Sequence, residues 1–153
     1  MRNLGRGKRK TGAINSKKLK RGAIAFASSL EAYTYDRLKE IDVDFKYEGE
    51  SYEILPSFKY EGIYLKSTQG KSIMTDLSGK AVRSITYTPD FVSHKHKFFI
   101  ETKGFVPSNH SFPLRWKLFL KYLSENDMSD YSVFLPKNRK QVDEVVKSIK
   151  DGL

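Results

Sequence analysis

The sequence predicts an α/β sandwich, a mixed β-sheet flanked by helices and carrying an inserted β-hairpin. Three observations predict it. Apolar residues recur at helical spacing once near the start and twice after Pro107. Between these stretches, from Val43 to Lys103, aromatic and β-branched residues alternate with polar ones, as half-buried strands require. The resulting order of helix, several strands, helix, strand and helix, with no internal repeat, suits helices packed on a mixed sheet.

The elements follow in order. Leu30, Tyr33, Leu38 and Ile41 lie close to helical spacing and Asp42 interrupts them, predicting a first helix over about 27 to 40. Val43, Phe45 and Tyr47, then Tyr52 and Ile54 up to Pro56, read as one or two strands. Residues 57 to 81 hold two further alternating runs joined through Gln69-Gly70 and followed by a Ser78-Gly79 turn, which predicts the hairpin. Ser84 to Val92 and Lys97 to Lys103 flank a polar His94-Lys95-His96 tip and predict an antiparallel pair. Phe112, Trp116, Phe119, Leu120 and Leu123 form a helical stripe, more in keeping with core than with base stacking. Tyr131 to Leu135 reads as a strand, and Val142, Val145, Val146 and Ile149 mark a short closing helix.

Of 153 residues, 39% are apolar, enough for one core. With no cysteine there is no disulfide framework, thiolate zinc site or cysteine nucleophile. The longest apolar runs are as short as Phe98-Phe99-Ile100, so neither a membrane span nor a secretion signal is expected, and the cytoplasm is the expected compartment.

The formal net charge of +10 is concentrated at one end. Residues 1 to 30 hold nine Lys/Arg and no acid, leaving 19 basic and 18 acidic residues in the rest. Rich in charge and interrupted by Gly5, Gly7, Gly12 and Gly22, residues 1 to 22 read as a flexible basic arm ahead of a single domain, 23 to 153. Such an arm attracts phosphate backbones by counterion release. The expected contacts are Lys8, Arg9, Lys10, Lys17, Lys18, Lys20 and Arg21, with Arg115, Lys117 and Lys121 on the second long helix. A solubilising tail is the plainer reading of the same charges.

The chemistry gathers on the central pair. With the turn centred between Lys95 and His96, positions summing to 191 lie opposite, so Asp90 faces Glu101 and Phe91 faces Ile100. Side chains alternate along a strand, so Lys103 shares the face of Glu101 while Phe98 and Ile100 point the other way. Two facing carboxylates repel unless a cation joins them, and Mg²⁺, a hard ion with oxygen ligands, suits the pair. Lys103 could then hold an attacking water while the metal offsets charge on a phosphate, which is phosphodiester hydrolysis. The plainer alternative is a solvated sheet face with weak surface ion pairs. His94 and His96 fall at the turn tip, away from the acids.

The string Pro89-Asp90 followed by Glu101-Thr102-Lys103 resembles the PD-(D/E)XK nuclease signature. More specifically, the chain is similar to the phage endonuclease I group of Holliday junction resolvases. It shares Ser29-Leu30-Glu31 opening a helix, Phe45-Lys46-Tyr47-Glu48, Tyr87-Thr88-Pro89-Asp90-Phe91 and Glu101-Thr102-Lys103-Gly104, in order from about Phe26 to about Glu125. The resemblance implies a restriction-endonuclease-like core and a Mg²⁺-dependent endonuclease, with Mn²⁺ as a substitute, that cuts branched DNA such as four-way junctions. It implies catalytic roles for Glu31, Asp90, Glu101 and Lys103. It also implies two metal ions per site, held by Glu31, Asp90, Glu101 and the Thr102 carbonyl. A homodimer with exchanged N-terminal segments is implied as well. Residues 57 to 81 look longer than the family's connection, and nothing after Glu125 matches a motif.

Ser28 and Glu31 also fit a capping box, in which the glutamate closes the helix start without touching metal. Two other functions stay open: a PD-(D/E)XK nuclease of transposition, repair or restriction, and a non-catalytic nucleic-acid-binding protein on a nuclease-like fold.

Overall fold

The computed structural model describes residues 19–104 and 111–152. The chain is mixed α/β, with three helices and several small sheets. In order these are β1 (Leu19–Arg21), β2 (Ile24–Phe26), α1 (Ser29–Glu40), β3 (Lys46–Tyr47), β4 (Tyr52–Leu55), β5 (Phe58–Lys59), β6 (Leu65–Lys66) and β7 (Thr75–Asp76). There follow β8 (Ala81–Val82), β9 (Ile85–Tyr87), β10 (Phe91–Ser93), β11 (Phe98–Ile100), α2 (Phe112–Glu125), β12 (Ser132–Phe134) and α3 (Arg139–Lys150).

The central sheet has the order β12-β11-β10-β3, antiparallel except for the parallel β11–β12 pair, so it is mixed. Its β10–β11 register is the one expected, with Phe91 opposite Ile100 and Ser93 opposite Phe98. Alternation then divides the core. Phe91, Phe98 and Ile100 pack with Leu38 of α1 and Val142, Val146 and Ile149 of α3. Val92 and Phe99, facing the other way, pack with Phe112, Phe119 and Leu123 of α2 and with Tyr52 and Tyr87. The sheet is therefore covered on both faces, which explains why β10 and β11 are buried along their whole length. No helix among the described residues is long and apolar enough to cross a membrane.

Four expectations need adjusting. Ser84 to Val92 is not one strand: β9 pairs with β4, β10 pairs with β11 and β3, and Thr88-Pro89-Asp90 lies between. Pro89 has no N–H to offer a ladder, so the chain changes sheets there. Leu120, placed in the α2 stripe, is exposed; the 112, 116, 119, 123 spacing makes a narrower face that excludes it. Residues 19–21, expected in the mobile arm, form β1, which pairs with β2, and Arg21 bonds Asp36 of α1 at 3.1 Å. The hairpin also reaches further than 57 to 81. The pairs β4–β9, β5–β8 and β6–β7 nest one inside the next, so it is rooted on the core at Tyr52 and Tyr87.

Candidate active site

A cleft of about 290 Å³ opens where β10 begins and β11 ends, lined by Glu31, Glu48, Asp90, Glu101, Lys103 and Arg115 among others. All four residues expected to be catalytic thus border one space. Each arrives by a local cause. Asp90 follows the Pro89 break, and its carbonyl accepts the Glu48 amide at 2.8 Å, which extends the β3–β10 pairing past its last paired residues. Glu101 and Lys103 continue β11 beside β12: their amides donate to the Phe134 and Pro136 carbonyls at 2.9 and 3.1 Å. The parallel ladder therefore fixes both side chains on the same face.

Glu31 sits in the first turn of α1. Ser28 caps the helix by accepting the Glu31 amide at 3.1 Å and donates its hydroxyl to Glu31 Oε1 at 2.8 Å. The Ala27 amide and the Tyr47 hydroxyl both donate to Oε2, at 3.0 and 2.7 Å. The capping arrangement is present, with the back-bond made to Ala27 instead of the cap residue. Three donors on a carboxylate with about four acceptor positions leave room for one more partner. Tyr47, half buried against this glutamate, has its hydroxyl pKa driven up by burial and then by Glu31.

Asp90, Glu101 and Thr102 are buried together. The Thr102 amide and hydroxyl both donate to Asp90 Oδ2 at 2.7 Å, and the Asp90 amide donates to Glu101 Oε2 at 3.3 Å. Burial, and after it the Glu101 charge, push the Asp90 carboxyl up to about 7 against the pull of the two Thr102 bonds. Lys103 Nζ lies 2.7 Å from Glu101 Oε1 and 5.0 Å from the Phe112 ring centroid. Burial lowers its pKa most, but the charges and hydrogen bond of the acids outweigh this, and the ammonium is held. The Tyr87 hydroxyl is buried beside Glu101, and its pKa rises through burial and then through the Glu101 charge.

Glu48 and Tyr87 had no assigned role in the sequence reading. Glu48 stands in the Phe45-Lys46-Tyr47-Glu48 string, yet only the pairing of β3 with β10 shows that it borders the cleft. Among the residues expected to touch nucleic acid, Arg115 lines the cleft and donates to the Thr86 carbonyl at 2.6 Å. Lys117 and Lys121 are exposed further along α2, Lys121 paired with Glu125. Lys20 and Arg21 lie on β1, while Lys8, Arg9, Lys10, Lys17 and Lys18 fall outside the described residues. His94, at the turn tip, bonds Tyr131 and Glu50 at 2.8 and 2.7 Å, away from the cleft.

The charge of the cleft is unbalanced. Glu31, Glu48, Asp90 and Glu101 against Lys103 and Arg115 leave a formal excess of two negative charges. All donors facing it are oxygens, the ligand type of hard divalent cations. The acids are not closed around a common point, however: among the described residues no group of three His, Cys, Asp or Glu side chains is arranged to hold a metal ion. Glu101 spends one oxygen on Lys103 instead.

Comparison with known proteins gives one positive finding. A family model described as a protein of unknown function (DUF1064) matches residues 11–133, a span that contains every residue lining the cleft. No curated protein and no solved structure matches the chain.

Proposed function

We propose that this chain, which belongs to the DUF1064 family, is a divalent-metal-dependent nuclease that hydrolyses DNA phosphodiesters on a restriction-endonuclease-like core. The single observation that supports it most is the pair of buried carboxylates, Asp90 and Glu101, with Lys103 against Glu101 and a net excess of two negative charges around them. A phosphodiester cannot approach such a cleft unaided, and two adjacent buried carboxylates destabilise each other without a cation between them. Mg²⁺, or Mn²⁺ in its place, suits the oxygen-only donors Glu31, Asp90, Glu101 and the Thr102 carbonyl. A bound divalent cation neutralises the clustered acids and stabilises negative charge as it develops on the attacked phosphate.

The chain's own groups do the rest. Thr102 fixes the Asp90 carboxylate through two bonds to Oδ2, which leaves the Oδ1 lone pairs for a further partner. With Glu101 held on a divalent cation, the Lys103 ammonium would be free to orient a water whose proton would pass to solvent, and to offset the charge of the hydroxide attacking phosphorus, the ester oxygen leaving with a proton from solvent. Arg115 lies at the cleft wall, where a guanidinium can take a phosphate oxygen in two bonds. Glu31 borders the cleft from the same chain as Asp90 and Glu101. Branched DNA as the preferred substrate, and a homodimer cutting two strands, extend the same proposal.

The test is cleavage of a four-way junction and of linear duplex in Mg²⁺ by the wild type and by Glu101→Ala, with Ca²⁺ as a binding control. Loss of cutting with retained binding supports the reading; equal cutting by both proteins removes the assigned site. The Lys103–Glu101 ion pair favours a second reading, in which the cleft is a closed structural cluster and the chain binds nucleic acid without cutting it. That reading predicts no Mg²⁺-dependent cutting of either DNA by the wild type.

A further inference from the structure

The hairpin between β4 and β9 concentrates two properties, exposed apolar side chains and an excess of basic charge, with only Leu114 and Leu120 of α2 exposing large apolar side chains elsewhere among the described residues. Six of the eight exposed large apolar side chains among the described residues lie on it: Phe58, Tyr60, Ile63, Leu65, Ile73 and Met74. Ile63 and Ile73 are 83% and 77% exposed, far beyond what a core residue at the edge of a fold shows. The same segment, 56 to 84, carries five Lys/Arg and two acids, whereas the remainder of residues 31 to 153 carries 14 and 16. Cations are therefore in excess on the segment that exposes most of the apolar side chains, while the remainder of residues 31 to 153, taken together, has a slight excess of acids.

The hairpin is built to project. Leu65 pairs with Asp76, the Leu77 amide donates to the Tyr64 carbonyl at 2.8 Å, and the Thr68 and Thr75 hydroxyls meet at 3.0 Å. Its tip closes with the Lys71 amide on the Thr68 carbonyl and with Gly70 at φ 81°, a backbone conformation that suits glycine. Its root is fixed at the cleft: Tyr87 ends β9 and lines the cleft, Arg115 bonds Thr86, and Asp90 follows three residues later. At full strand rise the ribbon could extend roughly 50 Å, several widths of a DNA major groove.

We infer that this hairpin is a nucleic-acid-gripping ribbon that lies along DNA beside the cleft, its lysines on phosphates and its exposed apolar side chains against bases. The inference rests on the nuclease reading for the orientation of the DNA, but its binding role stands apart from cutting. Nucleic acid satisfies both properties at once: an anionic backbone takes the cations, and base faces take the apolar and aromatic side chains. A two-stranded ribbon fits the major groove, and apolar side chains inserted at base steps hold distorted DNA. A second copy of the chain would place one cationic hairpin against another, so charge disfavours it.

The experiment uses the full chain and a labelled four-way junction, with binding in Ca²⁺ over a salt series and cutting in Mg²⁺. Lys59→Ala, Lys66→Ala, Lys71→Ala and Lys80→Ala combined should flatten the slope of log affinity against log salt by about 3.6. Ile63→Ser with Ile73→Ser should weaken binding about tenfold and leave that slope unchanged. All six positions are exposed, and an unchanged melting temperature confirms that each protein is folded. Wild-type slope and affinity in both variants would overturn the inference. So would a loss of self-association in the isoleucine variant with DNA binding intact, since a second copy would then cover the hairpin. If the wild type does not cut but both variants still lose binding, the nuclease reading fails and the ribbon stands.

Discussion

Around the cleft, charged side chains are buried and held: Asp90 by Thr102, Glu101 by Lys103, Glu31 by Ser28, Ala27 and Tyr47. Along the hairpin the reverse holds, with apolar side chains in solvent and strands of two residues at a time. Neither arrangement favours folding for its own sake. A buried pair of acids costs desolvation and repulsion, and exposed isoleucines forgo burial. The contrast teaches where to look for partners: the cleft carries a net negative charge, and the hairpin carries a net positive charge and lacks an apolar cover.

The comparison can be broken first at the cleft. Lys103→Met should lower Mg²⁺-dependent cutting by at least about 100-fold while leaving DNA binding in Ca²⁺ near wild type, as a gel assay of both would read. Next, the core beneath the cleft should behave unlike the hairpin. Phe99→Ala removes a ring packed against Phe119 at 5.3 Å and Tyr131 at 5.1 Å between centroids, and should cost about 3–5 kcal/mol in denaturant unfolding.

A smaller effect is expected at Glu50, outside both regions. Hydrogen bonds from Lys46 and His94 hold its carboxyl down from 4.5 to about 2. Its charged form is the stabilising one, so the contribution is complete above about 4.5 and disappears as pH falls through about 2. Discounted for its part exposure, Glu50→Gln should cost about 1 kcal/mol at neutral pH, and the difference from wild type should close in acid titration of stability. Smallest of all, Ile63→Ser should change stability by less than about 0.5 kcal/mol, although the residue is large and apolar.

Much of the site was legible because it depends on one local register. Summing positions to 191 places Phe91 opposite Ile100, and alternation then carries Asp90, Glu101 and Lys103 to one face; the structure has that pairing. The closing helix was legible for a similar reason, with Val142, Val146 and Ile149 buried at helical spacing. What could not be read depends on pairing between distant segments. Glu48 reaches the cleft because β3 pairs with β10, and it sits at φ 45°, where no alternation pattern applies. The division of Ser84 to Val92 between two sheets turns on Pro89, whose missing N–H ends one ladder although β-branched and aromatic residues continue on both sides of it. The β1–β2 hairpin was hidden because its strands are three residues long and charge dominates their composition.

The central claim, that the cleft is built for a divalent cation, is tested most directly by melting the wild type and Asp90→Asn with a chelator and with saturating Mg²⁺. Because burial and Glu101 raise the Asp90 carboxyl from 3.8 to about 7, the group costs the metal-free fold stability progressively as pH rises from about 3.8, and in full above about 7. At mildly alkaline pH, Asp90→Asn in chelator should therefore melt at or above the wild type. Mg²⁺ at about 100 times its dissociation constant should raise the wild type by about 5–10 °C and the variant far less, which reverses their order. Equal gains for the two proteins, or none for either, would contradict the account.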